Sequence, residues 1–358
     1  MYCTTPFKRM HIDINGDANL CFGHTWTSKH AGNILREDPM DIWRGRLATE
    51  FRQSILDSSF RYCTSCRCPE LLEERSSPGN EDLSDIDVLA LAYDYRCNIS
   101  CPSCRHDKVK PSPLCEKIHR RVLESGVLRH VRNISANGSG EPLASPLFWD
   151  LVARLPTTPC HPELGLILCT NGLLLTQDRL TKIREAGKPL RGIEISVDAA
   201  SADTYAENRR GGSWNKLLIN LTALAKTEIS LRLNFVVQAN NFREMPEFVD
   251  LAKSFGVSQI RFDALSDWGT FGPEEQALRS VHLPTHPLHA ELLVVLRDPK
   301  LRDPRVRMAR LSDDYFNTLD SRETIWARQH TEMTEIQTVL SRECAPSRSL
   351  LICVLKRP

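Results

Sequence analysis

The chain has 358 residues, more than one hydrophobic core usually needs, so two domains, or one domain with appendages, is the starting expectation. Its 46 Lys and Arg against 45 Asp and Glu leave almost no net charge, which withholds the basic field that non-specific nucleic-acid binding requires. Met1 is followed by YCTTPFKRM with no apolar run behind it, and no stretch approaches the ~18 apolar residues of a membrane span, so the expectation is a cytoplasmic protein without membrane or nucleic-acid partners.

In a reducing compartment 13 cysteines, an odd number, read as metal ligands or catalytic groups rather than a disulfide framework. Five of them, Cys3, Cys21, Cys63, Cys66 and Cys68, fall within residues 1–75. Between the first two, HIDINGDANL alternates apolar and polar positions around an Asn-Gly pair, the pattern of a hairpin. DIWRGRLATEFRQSIL follows; Trp43 and Phe51 are eight apart, one helical face, which reads as core packing rather than as a substrate platform. CTSCRC then brings a Cys-x2-Cys pair. Two thiols on a hairpin and such a pair later in the chain can meet around one metal centre, and the spacing suits a four-cysteine zinc site as well as an iron-sulfur cluster. ERSSPGNEDLSD, Glu74 to Asp85, is polar and rich in Pro, Gly and Ser, so residues 76–85 read as a linker.

From Ile86 the chain becomes regular. Six apolar runs rich in β-branched residues recur, each followed by a helical pattern: IDVLALAYDY from Ile86, VRNISANG from Val131, LGLILCT from Leu164, RGIEISVD from Arg191, ISLRLNFVV from Ile229 and SQIRFDAL from Ser258. Stretches such as PLFWDLVARL and REMPEFVDLAKSFG are helical, the latter closing on a Gly suited to a helix C-terminus. Six βα units suit either an open doubly wound sheet or a partial, splayed barrel, and in both the chemistry belongs at the carboxyl ends of the strands. Those positions hold Cys97, Cys101 and Cys104 after the first run, GSGEP after the second, TNG after the third and SVD at the end of the fourth; Asn234 lies in the fifth and Gln238 just past it.

Three thiolates spaced by three and then two residues on one loop can hold three corners of an iron-sulfur cube and leave the fourth iron open. A closed zinc site completed by His106 or Cys115 is the competing reading. Thr170, Asn171 and Gly172 equally read as a plain turn. Cys115, Cys160, Cys169, Cys344 and Cys353 read as ordinary buried thiols. The three histidines of HLPTHPLHAELL, His282, His286 and His289, lie among prolines without a paired carboxylate and read as a solvated loop and helix start. Beyond about Arg310 the chain is charged, with one or two surface helices and a short strand at LLICVL expected.

CNISCPSC resembles the Cys-x3-Cys-x2-Cys signature of radical S-adenosylmethionine (SAM) enzymes. The resemblance runs from about Ile86 to Arg307 through GSGEP, TNG, SVDAASADTY, RRGGSWNKLLINL and LNFVVQANNFREMPEFVDLAKSFG. It implies an α/β fold, a partial (β/α)6 TIM-like barrel over residues 86–310, with a small N-terminal cysteine-rich metal-cluster domain over residues 1–75 and a C-terminal extension, 311–358, of unknown role. It further implies that Cys97, Cys101 and Cys104 hold a 4Fe-4S cluster whose open iron binds SAM. By the same resemblance the family's Gly-Gly-Glu element, which meets the methionine amino group, falls on Ser139, Gly140 and Glu141. Ser196 and Asp198 match the position that bonds the ribose hydroxyls, Asn234, Gln238, Thr170 and Asn171 line the cavity, and Ser103 stands where many members carry an aromatic residue.

Residues 1–75 resemble the SPASM auxiliary-cluster domain, which in that family usually follows the barrel. The resemblance implies that Cys3, Cys21, Cys63 and Cys66 hold a second 4Fe-4S cluster, with Cys68 as the spare or alternate. The implied activity is reductive cleavage of SAM to a 5'-deoxyadenosyl radical, with electrons from an external donor such as flavodoxin or ferredoxin. The radical takes a hydrogen atom from a small metabolite, for example a sugar, or, as the alternative, from a peptide or protein side chain. A non-catalytic zinc-binding scaffold is the reading from another class.

Overall fold

A computed structural model describes residues 3–22, 27–64, 68, 82–105, 112–136 and 140–311. Cys66, His106, Ser139, Cys344, Cys353, most of the expected linker and all of the expected C-terminal extension except Leu311 lie outside the described residues.

Ten strands form one sheet: β1 (Arg9–Ile12), β2 (Asp17–Asn19), β3 (Gly32–Asn33), β4 (Ile86–Leu91), β5 (Val131–Ala136), β6 (Gly165–Thr170), β7 (Leu190–Ser196), β8 (Leu231–Val237), β9 (Gln259–Ala264) and β10 (Val306–Met308). The helices are α1 (Thr5–Lys8), α2 (Pro39–Arg44), α3 (Arg46–Leu56), α4 (Pro113–Glu124), α5 (Pro146–Arg154), α6 (Gln177–Glu185), α7 (Ala202–Asn208), α8 (Trp214–Leu224), α9 (Met245–Ser254), α10 (Pro273–Arg279) and α11 (His289–Val295). The six expected apolar runs are β4 to β9. The Asn-Gly pair makes the β1–β2 hairpin, with Gly16 in the left-handed region at φ 81°. The short edge strands β3 and β10 carry no periodic signal in the sequence.

Sequence order decides between the two architectures. Strands β4 to β9 are all parallel, and each pairs with the next in the chain without reversal. Because such crossovers are almost always right-handed, this order puts every connecting helix on one face, whereas a doubly wound sheet reverses direction and is covered on both. Burial agrees. Along β8 and β9 every second residue is buried under the helices and the intervening ones are half-exposed, the mark of an uncovered concave face. The sheet is a partial (β/α)6 barrel.

The helices start where side chains replace missing backbone partners: Ser112, Ser145, Thr176, Ser201 and Ser213 each accept from the first turn of α4, α5, α6, α7 and α8. Helix α4 buries Cys115, Ile118, His119 and Val122, positions that share one face. Phe235 of β8, Phe248 of α9 and Phe262 of β9 form a mutual cluster with centroids 4.8 to 5.8 Å apart.

The N-terminal strands join the same sheet, β1 pairing parallel with β4. Trp43 is fully buried, its indole N–H donating to Leu83 O at 3.1 Å, with the Arg52 guanidinium over its ring; Phe51 stacks on Tyr62. Both aromatics are core, as their spacing suggests. Arg52 donates to the carbonyls of Pro6 and Trp43, and burial pulls its pKa down to about 10. Among the described residues no helix is long and apolar enough to cross a membrane, and none of the ten described cysteines is in a disulfide.

Candidate functional site

The Cys97, Cys101 and Cys104 loop leaves the carboxyl end of β4. It is turned back by the Cys104 and Arg105 N–H groups, both donating to Cys101 O at 3.0 Å. Gly140 packs directly against the start of this loop. A Cβ there would run into the carbonyls of Asp94 and Arg96, so only glycine lets the β5 exit approach so closely, and the next N–H, from Glu141, donates to Arg96 O at 2.7 Å.

Glu141 is 2% exposed and accepts three bonds: Leu143 N–H at 3.1 Å and the Thr170 hydroxyl at 2.7 Å on Oε1, and Asn171 N–H at 2.7 Å on Oε2. Burial pushes its pKa upward against these donors. Thr170 and Asn171 also form the turn after β6, Thr170 Oγ1 accepting from Gly172 N–H and Asn171 Oδ1 from Leu173 N–H. Glu141, of the Gly-Gly-Glu-like element, and the cavity candidates Thr170 and Asn171 thus hold one another.

Each thiol of the loop faces a side-chain donor. Asn171 Nδ2 lies 3.9 Å from Cys97 Sγ, Arg209 Nη1 lies 3.6 Å from Cys101 Sγ, and Arg105 Nη2 lies 3.1 Å from Cys104 Sγ. Burial is the main cause raising the Cys97 thiol, with Arg105 pulling the other way. Burial opposes the charge on Arg209, but Asp198 first and Cys101 second hold that guanidinium firmly protonated. Asp198 Oδ2 pairs with Arg209 Nη2 at 2.7 Å and Oδ1 accepts Val236 N–H at 2.7 Å, so both carboxylate oxygens have partners inside the protein. Its backbone is left-handed at φ 59°, held by Asn208 and Asn241, which both donate to its carbonyl. Gln238 is buried beside the same turn, its N–H donating to Asn241 Oδ1.

On the concave face Ser196 of β7 stands opposite Asn234 of β8, and Asn234 opposite Arg261 of β9. Glu194 and Arg232 lie one pleat deeper, paired at 2.7 Å, and Asp263 binds Arg261 and Arg310. Asn234 Oδ1, Arg232 Nε, Arg209 Nε and the Tyr205 hydroxyl are buried without partners. Burying such atoms unpaired costs about 1–3 kcal/mol each, a cost a bound polar ligand removes. The thiol-bearing loop with its donors, and these unspent polar atoms beside it, fit a thiolate-ligated cluster and a polar cosubstrate.

The described cysteines of the N-terminal segment lie near one another. Burial first, then Cys68, Cys3 and Cys63, raise the Cys21 thiol, and burial, Cys68 and Cys3 push the Cys63 thiol upward, so these four sulfurs share one neighbourhood. Among the described residues no group of three or more His, Cys, Asp or Glu side chains is drawn together tightly enough for a single ion. Cys115, the alternative fourth ligand of the core loop, instead donates to Tyr93 O at 2.9 Å. His286 and His289 bond the carbonyls of Leu278 and Val281, with His289 opening α11.

Sequence reasoning passed over Arg105, Arg209 and Tyr205. RRGG was quoted as a motif, but a contact across 108 residues leaves no local signal.

Comparisons with known proteins place these features in a family. A family described as an iron-sulfur cluster-binding domain, SPASM, matches residues 3–69, and the radical SAM superfamily matches residues 95–260. The chain is 29% identical over 170 residues to the AdoMet-dependent heme synthase of Methanosarcina barkeri, covering 45% of each chain. It is 27% identical over 168 residues to the mycofactocin maturase MftC of Mycobacterium tuberculosis, covering 46% of this chain and 41% of that one. Streptococcus suis SuiB superposes with a TM-score of 0.42 at 15% identity, over 74% of this chain and 61% of that one. The chain thus spans about half the length of the curated relatives it matches.

Proposed function

Because this chain belongs to the SPASM-containing radical SAM family, we propose that it cleaves SAM reductively and uses the resulting radical to abstract a hydrogen atom from a small polar metabolite, of which a sugar is one example. The observation that supports the substrate class is the concave face, where Glu194, Arg232, Arg261 and Asp263 line the barrel with charged atoms, Arg232 Nε among them without a partner. An apolar substrate would leave those atoms unsatisfied; a polyol or charged metabolite would not.

When bound, the cluster and SAM supply the one-electron homolysis that yields the 5'-deoxyadenosyl radical. The protein supplies position and dryness. Cys97, Cys101 and Cys104 would hold the core cluster at the barrel mouth. Gly140 lets the β5 exit lie against that loop, and Glu141 locks the ends of β5 and β6 through Leu143, Thr170 and Asn171. Ser196 and Asn234, neighbours across β7 and β8, would take polar groups of the cosubstrate, while Asp198 and Gln238 hold the turns behind them. Cys3, Cys21 and Cys63 would hold an auxiliary cluster with either Cys66, as the resemblance implies, or Cys68, which lies near the other three, as the fourth ligand. An external low-potential donor such as flavodoxin or ferredoxin in the cytoplasm would deliver the electron.

Protein purified and reconstituted without oxygen should be brown and release 5'-deoxyadenosine from SAM with dithionite. Panels of sugars, sugar phosphates and amino acids should raise that rate and, when deuterated, transfer label to 5'-deoxyadenosine. Stimulation by short peptides alone would move the substrate class to peptides. Colourless protein with stoichiometric zinc and no SAM cleavage would overturn the enzyme reading.

A further inference from the structure

We propose that Arg209, Arg105 and Asn171 are positioning residues that tune the reduction potential of the core cluster by donating an N–H group to each of its three thiolate ligands. The inference rests on the radical SAM reading. It goes beyond it in assigning an electrostatic task to three side chains whose contacts with the thiols no local spacing shows.

The donors converge from separate parts of the fold. Asn171 comes from the turn after β6, Arg209 from the C-terminal end of α7, and Arg105 from the cysteine loop itself. Each sulfur has a side-chain donor, at 3.9, 3.6 and 3.1 Å; the Asn171 amide also donates to Asn98 Oδ1 at 2.8 Å, and the Ile99 N–H reaches Cys97 as well. Both guanidiniums are well buried, at 12% side-chain exposure for Arg209 and 9% residue exposure for Arg105, where solvent screens them little. Each is also aimed by a second contact: Arg209 by Asp198, and Arg105 by Tyr95 O at 2.6 Å.

The consequence follows from charge. Reduction adds an electron to a centre already carrying anionic sulfur, and hydrogen bonds to the sulfurs and the net charge nearby are among the terms that set such potentials. Two cationic donors in a low-dielectric pocket favour the more negative, reduced form and so raise the potential; the neutral, more distant Asn171 contributes less. Asp198 acts through Arg209, since its left-handed backbone and its bond from Val236 N–H hold the carboxylate where it fixes the guanidinium against Cys101.

The test is a potentiometric titration of the full-length reconstituted protein, followed by the electron paramagnetic resonance signal that changes on adding SAM, which separates the core cluster from the auxiliary one. In Arg209→Gln and Arg105→Gln the reduced-to-oxidised ratio at the wild-type midpoint should fall about tenfold, equivalent to ~59 mV for a one-electron couple. Arg209→Lys, which keeps the charge, should recover more than half of that shift, and Asn171→Leu should move it less than either arginine variant. A purely structural role would change melting temperature or iron content and leave the midpoint in place. An unmoved midpoint in either Arg→Gln variant that retains wild-type iron content overturns the proposal; should Arg209→Gln fail to assemble a cluster, Arg105→Gln decides. Wild-type protein lacking any SAM-responsive signal would instead remove the family reading beneath it.

Discussion

Replacing Glu141 by Gln tests whether the ends of β5 and β6 are locked by a carboxylate. Gln keeps the shape but has one acceptor oxygen. If that oxygen retains the bonds from Leu143 N–H and Thr170, the amide NH2 faces Asn171 N–H across a contact now 2.7 Å long, donor against donor. Losing a bond to a charged acceptor costs about 1.5–3 kcal/mol, and stranding the buried Asn171 N–H costs about 1–3 kcal/mol. Removing a carboxylate whose burial already raises its pKa returns part of this, leaving a net loss of about 2–3 kcal/mol. For a protein of this size that is a fall in melting temperature of about 3–4 °C, measurable by circular dichroism on anaerobic apo-protein at neutral pH. The pH dependence has a definite sign. With its folded pKa raised, Glu141 binds its proton more tightly in the folded protein than in the unfolded chain. Its contribution is therefore fully present below the ordinary Glu value of about 4.3 and declines as pH rises through the folded value, so the gap between wild type and variant should narrow across that window and stay level above it. A Gln variant that melts with wild type yet no longer binds SAM would refute this reasoning, since the carboxylate would then serve the cosubstrate and not the strand ends.

Four further outcomes are expected. The triple variant Cys97→Ala, Cys101→Ala, Cys104→Ala should retain about four irons per chain, the content of one auxiliary cluster, by iron assay; none would mean that the N-terminal thiols hold no such cluster. In that background Cys68→Ser should release the remaining iron, and full retention would transfer the fourth position to Cys66. Gly140→Ala should abolish the SAM-responsive spectrum while the auxiliary iron stays, because a Cβ cannot fit against the Asp94 and Arg96 carbonyls without moving the cysteine loop. Phe248→Ala, which opens the aromatic cluster between α9 and the sheet, should cost about 3–5 kcal/mol by denaturant unfolding and leave the iron content of surviving protein unchanged.

The barrel is legible because its strands are dense apolar runs, a local feature that tertiary context reinforces. Strands β3 and β10 were not, being two and three residues long with no period to read. The core thiols were legible because all three lie on one loop. Their donors were not, since Arg209 reaches Cys101 only after β7 and α7 have folded back over the mouth. CTSCRC supplied several candidate sulfurs within six residues, and which of them turns toward Cys3 and Cys21 depends on backbone geometry that spacing does not contain. The resemblance marks Asp198 as a ribose acceptor; its engagement with Arg209 and Val236 N–H depends on the left-handed turn, which an Asp tolerates better than most residues but does not announce.

The unusual order, with the SPASM-like segment ahead of the barrel, is explained by how β1 enters the sheet. It pairs parallel with β4 from Arg9 opposite Val88 to Ile12 opposite Leu91, and the ladder is extended by Ala92 N–H donating to Ile12 O at 2.9 Å. A parallel ladder needs a long crossover, which the residues between β1 and β4, including α2 and α3, provide. The hydrogen bonds themselves do not depend on which strand comes first in the chain. Lengthening the connection costs little, since closure entropy grows by only about 0.6 kcal/mol for each doubling of the loop. Chain order is therefore a matter of connectivity. The strand that follows the Cys3 segment and the strand that leads into the Cys97 loop are direct neighbours, so one parallel ladder ties the two thiol-bearing segments together, Cys3 ahead of its amino end and Cys97 beyond its carboxyl end.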